Sequence, residues 1–303
     1  MTPVSYRNPL ETKAARAKRL SMHTESGFET APHGEIASRF VAARRANEPL
    51  RNFPGEIPRD LASSYACQDA AINLWADEIA GWKIGRITDN LAQTLGANRL
   101  AGPIFRRSVM RARGNEAVSF PVYKDGFAAV EAEFILVVAE DAPAGKLKWT
   151  RDEARTLVQD VLIGVELAGS PLAAINDLGP TVVISDFGNN AGLIVGQSYE
   201  GWRARPEGEW RCETWIDGVL VGAGAADALP GGPFEALRFL LELNASRGRP
   251  LRAGDLVSSG AVTGVHDIRA GQQSRIVFTN AGVIVCCAQP RTDASTHGKS
   301  AAQ

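Results

Sequence analysis

The run AAVEAEFILVVA, residues 128–139, constrains the fold of this 303-residue chain more than any other feature. Its β-branched and aromatic residues predict a strand, and the unbroken apolar stretch from Phe134 to Val138 predicts that this strand end is at least partly buried. Glu131 and Glu133 stand two apart, so in a strand both side chains leave the same face and can converge on one point. Two carboxylates held there repel, and burying them unpaired is costly. A divalent cation removes that cost, and hard oxygen donors suit magnesium, manganese or calcium better than zinc. The pattern alone leaves two other arrangements open: a strand edge facing solvent, or a glutamate paired with an arginine.

A third acid has the same problem. VLIGVELAG, residues 161–169, is a second apolar strand candidate with Glu166 inside it. Either that carboxylate joins the cation or it is satisfied by backbone N–H groups. Lys83 lies in AGWKIGRI on the alternating face it shares with Gly81 and Gly85, which leaves room beside the ammonium for a ligand. Such a lysine can bind a carboxylate or, with its pKa depressed by burial and a nearby metal, shuttle protons; it can equally be an edge lysine that discourages strand pairing. The loop Ser259–Gly264 joins small residues to the Thr263 hydroxyl and suits close ligand approach. His266 follows it closely enough to reach a site as acid, base or anion partner, although a lone loop histidine is commonly surface.

Several function classes are disfavoured. Basic and acidic side chains nearly balance, 33 against 34, so no nucleic-acid or membrane partner is advertised. No stretch reaches the roughly 20 apolar residues of a membrane-spanning helix. GAGAAD, residues 222–227, lacks the third glycine of a dinucleotide loop. No H-E-x-x-H or H-x-H cluster supports zinc hydrolysis. The four cysteines show no C-x-x-C spacing and two are adjacent, which fits a reducing cytoplasm better than a disulfide framework. The basic, polar opening segment has no apolar run that could act as an export signal.

Along the chain, helices are expected from Gly34 to about Leu50 and from Pro58, suited to a first-turn position, to about Asp77. Strand patterns then take over: EIAGWKIGRI, VSFPVY, the two acid-bearing runs, TVVISD, AGLIVG, a hairpin turning at Asp217-Gly218, DLVSSGAV, and SRIVFTNAGVIVCCA with a turn at residues 280–282. A capping box, Thr150 to Glu153, opens one helix and Pro233 precedes another. Strands joined mostly by turns imply an α+β fold. The expected organisation is a disordered arm over 1–33, a small helical N-terminal portion over 34–105, a β-rich metal-binding domain over 106–290, and a disordered tail over 291–303.

GWKIG (81–85), VEAEFILVV (130–138), GVELAGS (164–170), DFGNNAGLIVG (186–196), GAGAAD followed by P-x-x-A-L-R-F-L, and SSGAVTG (258–264) occur in one order. The set, covering roughly Ala37 to Ala288, resembles the 2-keto-4-pentenoate hydratase and 4-oxalocrotonate decarboxylase group of the fumarylacetoacetate hydrolase superfamily. That resemblance implies a fumarylacetoacetase C-terminal-like mixed β-roll around Mg²⁺ or Mn²⁺, with Glu131, Glu133 and Glu166 as metal ligands. It implies Lys83 as the catalytic residue, and Lys83, Asn190 and Thr263 at the substrate; His266 joins them as a substrate-contact candidate from its place in the loop after Thr263. The implied activity is a metal-dependent hydratase adding water to a 2-hydroxy-dienoic (2-oxo-enoic) acid in aromatic-compound catabolism. A 2-oxo diacid decarboxylase, an acylpyruvate C–C hydrolase and a non-catalytic metal-binding homologue are the alternatives. A homo-oligomer is expected from the same source, and a cytoplasmic location from the cysteine usage above.

The chain departs from the group at three places. Arg86-Ile87-Thr88-Asp89 replaces an apolar residue and a T-S pair after GWKIG, and Glu166–Ser170 lacks the second acid of E-V-V-D-S. Residues 263–267 replace the usual T-P ending. The substrate's identity is open at those positions.

Overall fold

A computed structural model of the chain describes residues 32–114 and 116–291. The arm and tail expected at the chain ends lie almost wholly outside the described residues. Two helices come first, α1 (Pro32–Ala46) and α2 (Leu61–Leu74). Asp60 caps α2 by accepting from the Ser63 amide, so Pro58 precedes the cap instead of occupying the first turn.

The strands of the larger sheet are β1 (Ile79–Arg86), β2 (Arg99–Phe105), β3 (Val109–Arg111), β5 (Phe127–Val138), β6 (Val158–Ser170), β7 (Asn190–Ser198) and β10 (Leu256–Ser258). They lie in the order β2-β1-β10-β5-β6-β7-β3, and the short β11 (His266–Asp267) also pairs with β5. The smaller sheet runs β4-β13-β12-β8-β9, from β4 (Val118–Val122), β8 (Arg211–Ile216), β9 (Val219–Ala225), β12 (Gln273–Phe278) and β13 (Gly282–Pro290). Most pairs are antiparallel, while β1–β10, β3–β7 and β4–β13 are parallel, so the α+β expectation of a mixed β core holds. Ile79–Arg86, expected as a strand within the helical portion, and Arg99–Phe105 form two adjacent strands of the larger sheet. Phe134 joins the sheets: its ring lies 5.5 Å from Phe278 of β12 and 5.3 Å from Trp210.

The remaining helices are α3 (Asp89–Leu95), α4 (Arg151–Thr156), α5 (Pro180–Ser185) and α6 (Gly232–Ser246). Both halves of the Thr150/Glu153 capping box form at α4. TVVISD, expected as a strand, is α5 instead. All of Thr181–Ser185 is buried, so its apolar run carries no period, and Pro180 in the first turn after Gly179 at φ 96° sets the helix. β2 was not anticipated. It carries Pro103, tolerated because β2 is an edge strand. Among the described residues no helix is long and apolar enough to cross a membrane.

Candidate metal centre

The sheet order brings the candidate residues into one row across five adjacent strands: Lys83 on β1, Ser258 on β10, Glu131 and Glu133 on β5, Glu166 on β6, Asn190 on β7. Glu131 and Glu166 are direct cross-strand partners, and Glu133 leaves the same face two residues on. One carboxylate oxygen from each of the three lies within 4.8 Å of the others, and all three residues are buried. The strand alternation read from E-x-E therefore delivers the convergence it promised.

Two of the acids are only partly satisfied. Glu133 Oε2 accepts from the Ser258 hydroxyl (2.6 Å) and the Gly260 amide (2.8 Å). Glu166 Oε1 accepts from Asn190 Nδ2 (3.1 Å) and faces Lys83 Nζ at 3.3 Å. Glu133 Oε1 and Glu166 Oε2 have no hydrogen-bond partner among the described residues. Three carboxylates against one ammonium leave two negative charges uncompensated, the charge a divalent cation carries. The orphaned oxygens and the hard-donor set fit such an ion. Without one, burial and then Glu166 push the Glu131 pKa up to about 8. Burial, followed by Glu166 and Glu131, raises Glu133 well above the ordinary carboxylate range.

Lys83 is 3% exposed. Burial alone would depress its pKa, but Glu166, Glu131 and Glu133 more than offset it, so the side chain is held as an ammonium. That balance holds for the metal-free cluster. Two glycines fix its place. A Cβ at Gly81 would overlap the Leu256 carbonyl oxygen, so Gly81 lets β1 sit close against β10. A Cβ at Gly102, opposite Lys83 on β2, would overlap the Phe187 carbonyl oxygen. The turn 187–189 therefore rests on β2 and aims Asn189 Oδ1 at Lys83 Nζ, 3.3 Å away. Arg44 of α1 anchors the start of that turn, bonded to both Asp186 carboxylate oxygens at 2.5 and 2.9 Å, and Asp186 also accepts from Ser170.

A cleft of about 540 Å³ opens over Lys83 and Glu131. Asn176, Asn189, Ser259 and Gly260 line it with apolar walls that include Leu91, Val183 and Leu229. Of the residues implied for substrate contact, Lys83 lines the cleft. Asn190 sits behind it, bracing Glu166. Thr263 and His266 are turned elsewhere: Thr263 Oγ1 bonds Thr214 (2.8 Å), and His266 Nε2 lies 2.9 Å from the Thr263 carbonyl oxygen. Gly264 and Val265 between them reach the cleft instead. Sequence reasoning missed Asn189, Asn176 and Ser258. The paired asparagines of DFGNN were a signal, but which of the two meets Lys83 depends on the turn, where Phe187 and Asn189 both have φ 55°.

No protein-family profile matches the chain. In sequence it is 26% identical over 217 residues to the "TodF product hydratase" of Pseudomonas putida F1, a match spanning 71% of this chain and 78% of the relative. In structure it is similar to 4-oxalocrotonate decarboxylase from Pseudomonas putida G7, solved with magnesium and adipate. That likeness has a TM-score of 0.70 at 17% identity and covers 84% of this chain and 97% of that one. Fumarylpyruvate hydrolase from Pseudomonas aeruginosa, solved with Mn²⁺ and pyruvate, gives a TM-score of 0.50 at 16% identity over 69% and 89% of the two chains. The chain thus has the fold of fumarylacetoacetate hydrolase-type proteins and, in sequence, resembles the 2-keto-4-pentenoate hydratase and 4-oxalocrotonate decarboxylase group within them.

Proposed function

We propose that this chain is a divalent-metal-dependent hydro-lyase that hydrates a 2-hydroxy-dienoic (2-oxo-enoic) acid of the kind formed in aromatic-compound catabolism. The observation that carries this is the buried Glu131/Glu133/Glu166 cluster, with its two orphaned oxygens, beside a charged lysine at the floor of a cleft. The similarity to a hydratase supports the choice of reaction. Glu131, Glu133 and Glu166 would hold Mg²⁺ or Mn²⁺. When bound, the ion supplies a Lewis acid for the carboxylate and C2 oxygen of the substrate.

The chain's own residues do the rest. Lys83, an ammonium among its acid neighbours in the metal-free protein, lies at the floor of the cleft where the enolate's negative charge would develop and is the group placed to deliver a proton to the unsaturated chain. Asn189 accepts from Lys83 and so directs Nζ, while Asn176 in turn accepts from Asn189 Nδ2 at 3.0 Å. Ser258 and the Gly260 amide orient Glu133, and Asn190 orients Glu166. The apolar walls limit water around the reacting chain.

The test follows the ultraviolet band of freshly generated 2-hydroxypenta-2,4-dienoate with EDTA-treated protein, before and after adding Mg²⁺ or Mn²⁺. Metal-dependent loss of the band, with a product one water heavier by mass, is the expected result. A product lighter by CO₂ from a dicarboxylate analogue would reassign the reaction to decarboxylation, which the structural likeness to 4-oxalocrotonate decarboxylase keeps as the second reading. Tight metal binding with no turnover of either compound would leave a non-catalytic homologue. The C–C hydrolase reading gains nothing from His266, which faces Thr263 and not the cleft.

A cytoplasmic homo-oligomer belongs to the same proposal. The edge strand β9 exposes Val219, Leu220 and Val221 in succession, a surface a second copy would cover, and light scattering checks it.

A further inference from the structure

Arg44 stands in the last turn of α1 and is 2% exposed. All five N–H groups of its guanidinium have acceptors. Besides the two Asp186 carboxylate oxygens they reach the carbonyls of Asp186 (3.2 Å), Asn190 (2.9 Å) and Gly169 (3.0 Å) and the Tyr123 hydroxyl (3.3 Å). Gly169 belongs to β6 and Asn190 to β7, 125 and 146 residues further along the chain. One side chain of the first helix therefore ties two core strands together. The ion pair with Asp186 does not by itself account for this. Desolvation offsets much of the attraction between buried charges, and an apolar pair of similar size would hold α1 to the sheet as well. Apolar packing, however, cannot choose positions for two carbonyl groups.

Arg44 holds the strands where their own pairing breaks. Leu167 faces Gly192 but Ala168 faces Asn190, so Ala191 is an extra residue in β7. Glu166 faces Leu193, and in an unbroken ladder the residue opposite Ala168, on the same face, would be Ala191, which offers a carboxylate nothing. The bulge puts Asn190 there instead. Its Nδ2 reaches Glu166 Oε1 (3.1 Å) and the Gly192 carbonyl (3.2 Å). The two Arg44 bonds hold carbonyls on both strands just beyond this irregularity, where the ladder alone does not. The strands approach closely there, since a Cβ at Gly169 would lie 2.9 Å from the Ala191 Cβ.

We propose that Arg44 is a positioning residue of the metal centre: from α1 it fixes the β6/β7 bulge, through the bulge Asn190, and through Asn190 the carboxylate of Glu166. Metal affinity is thereby tied to the seating of the N-terminal helix on the sheet. The inference rests on the reading that Glu131, Glu133 and Glu166 hold a divalent ion. The Ser170 hydroxyl, donating to Asp186 at 2.6 Å, helps keep that carboxylate turned to the guanidinium.

The test is calorimetric titration of the EDTA-treated full chain with Mn²⁺, in variants whose circular dichroism matches wild type. Arg44→Lys keeps a charge beside Asp186 but cannot also span both strand carbonyls, and should weaken Mn²⁺ binding on the order of 10-fold. Asp60→Ala, which removes the cap of α2 in the same helical portion, should lower the melting temperature yet leave Mn²⁺ affinity within about two-fold of wild type. Asn190→Ala should weaken binding on the order of 10-fold. Adding Arg44→Lys to it should cost little more, because the route to Glu166 is already cut. Wild-type affinity in Arg44→Lys, an equal loss in Asp60→Ala, or losses that multiply in the double variant would each overturn the proposal. If Arg44→Lys does not fold, Arg44→Met combined with Asp186→Asn removes both charges and leaves no unpaired one buried. A loss on the order of 10-fold is again expected, and wild-type affinity in that pair overturns the proposal equally. Failure here is separable from failure of the reading beneath it. A wild-type chain that binds no Mn²⁺ removes the metal reading and this inference with it. Tight binding by wild type and Arg44→Lys alike removes the role of Arg44 alone. A loss at Arg44→Lys, with no turnover of any dienoate by wild type, supports the role of Arg44 and removes the hydratase reading alone.

Discussion

The β5/β6 pair and the β8/β12 pair are both antiparallel, yet they place polar residues under opposite rules. β8 and β12 alternate, buried then exposed, so Glu213 of β8 faces solvent. β5 and β6 are buried on both faces over most of their length, so Glu131, Glu133 and Glu166 have no water to turn to. An acid on an alternating strand needs no explanation; an acid on a doubly covered strand must be charged against a partner or carry a proton. The difference separates a solvated face from a metal centre, and substitutions on the two pairs should separate it experimentally.

The largest effect is expected on metal affinity. Glu131→Ala or Glu133→Ala should weaken Mn²⁺ binding by on the order of 100-fold or more, whereas Glu213→Ala should leave it unchanged. Titration calorimetry on the three variants makes the comparison. Wild-type affinity in either β5 variant would sink the ligand assignment. Next comes Lys83→Met, expected to lower kcat by on the order of 100-fold while metal binding persists, because the substitution removes a positive charge beside the acids. Unchanged turnover of a good substrate would remove Lys83 from proton delivery.

A pH dependence follows from the same burial. The Glu131 carboxyl is raised from 4.5 to about 8 in the metal-free protein. Between those values the folded chain binds more protons than the unfolded chain, so stability falls as pH rises through the window. The melting temperature in EDTA should therefore decline from about pH 5 to pH 8, and saturating Mg²⁺ should flatten the decline by taking the proton's place. A metal-free melting temperature that rises across this range would contradict a protonated cluster.

Much of this was legible from sequence because it is local. The E-x-E spacing fixes one face, and the glycines beside Lys83 announce close packing. Asp217 and Gly218 both adopt positive φ at the hairpin turn expected of them. What stayed hidden depends on distant partners. Asn189 meets Lys83 only because Gly102, far off in sequence, lets a turn settle on β2. Thr263 and His266 follow a promising loop, but pairing of His266 with Val130 and the bond to Thr214 turn them from the cleft. Arg99, buried on β2, drew no notice because its strand was unforeseen. TVVISD misled for a related reason: a fully buried run has no period to read.

The smallest effect tests the local side of that division. Thr150 caps α4 by accepting from the Glu153 amide, and the Glu153 side chain accepts in return from the Thr150 amide at 2.7 Å. Hydrogen bonds from Lys146 and then from Thr150 hold the Glu153 pKa down at about 2. Thr150→Ala removes one half of this exchange and should cost about 1 kcal/mol, a shift in melting temperature of about 2–4 °C for a chain of this size. Helix α4 leads directly into β6, but the capping box lies at the strand's far end from Glu166, so metal affinity should stay at the wild-type value. A Thr150→Ala protein that melts a few degrees lower yet binds Mn²⁺ normally keeps local helix signals and the buried centre energetically separate. A parallel loss of metal affinity would mean that the register of β6, and with it the place of Glu166, is set partly by its entry helix.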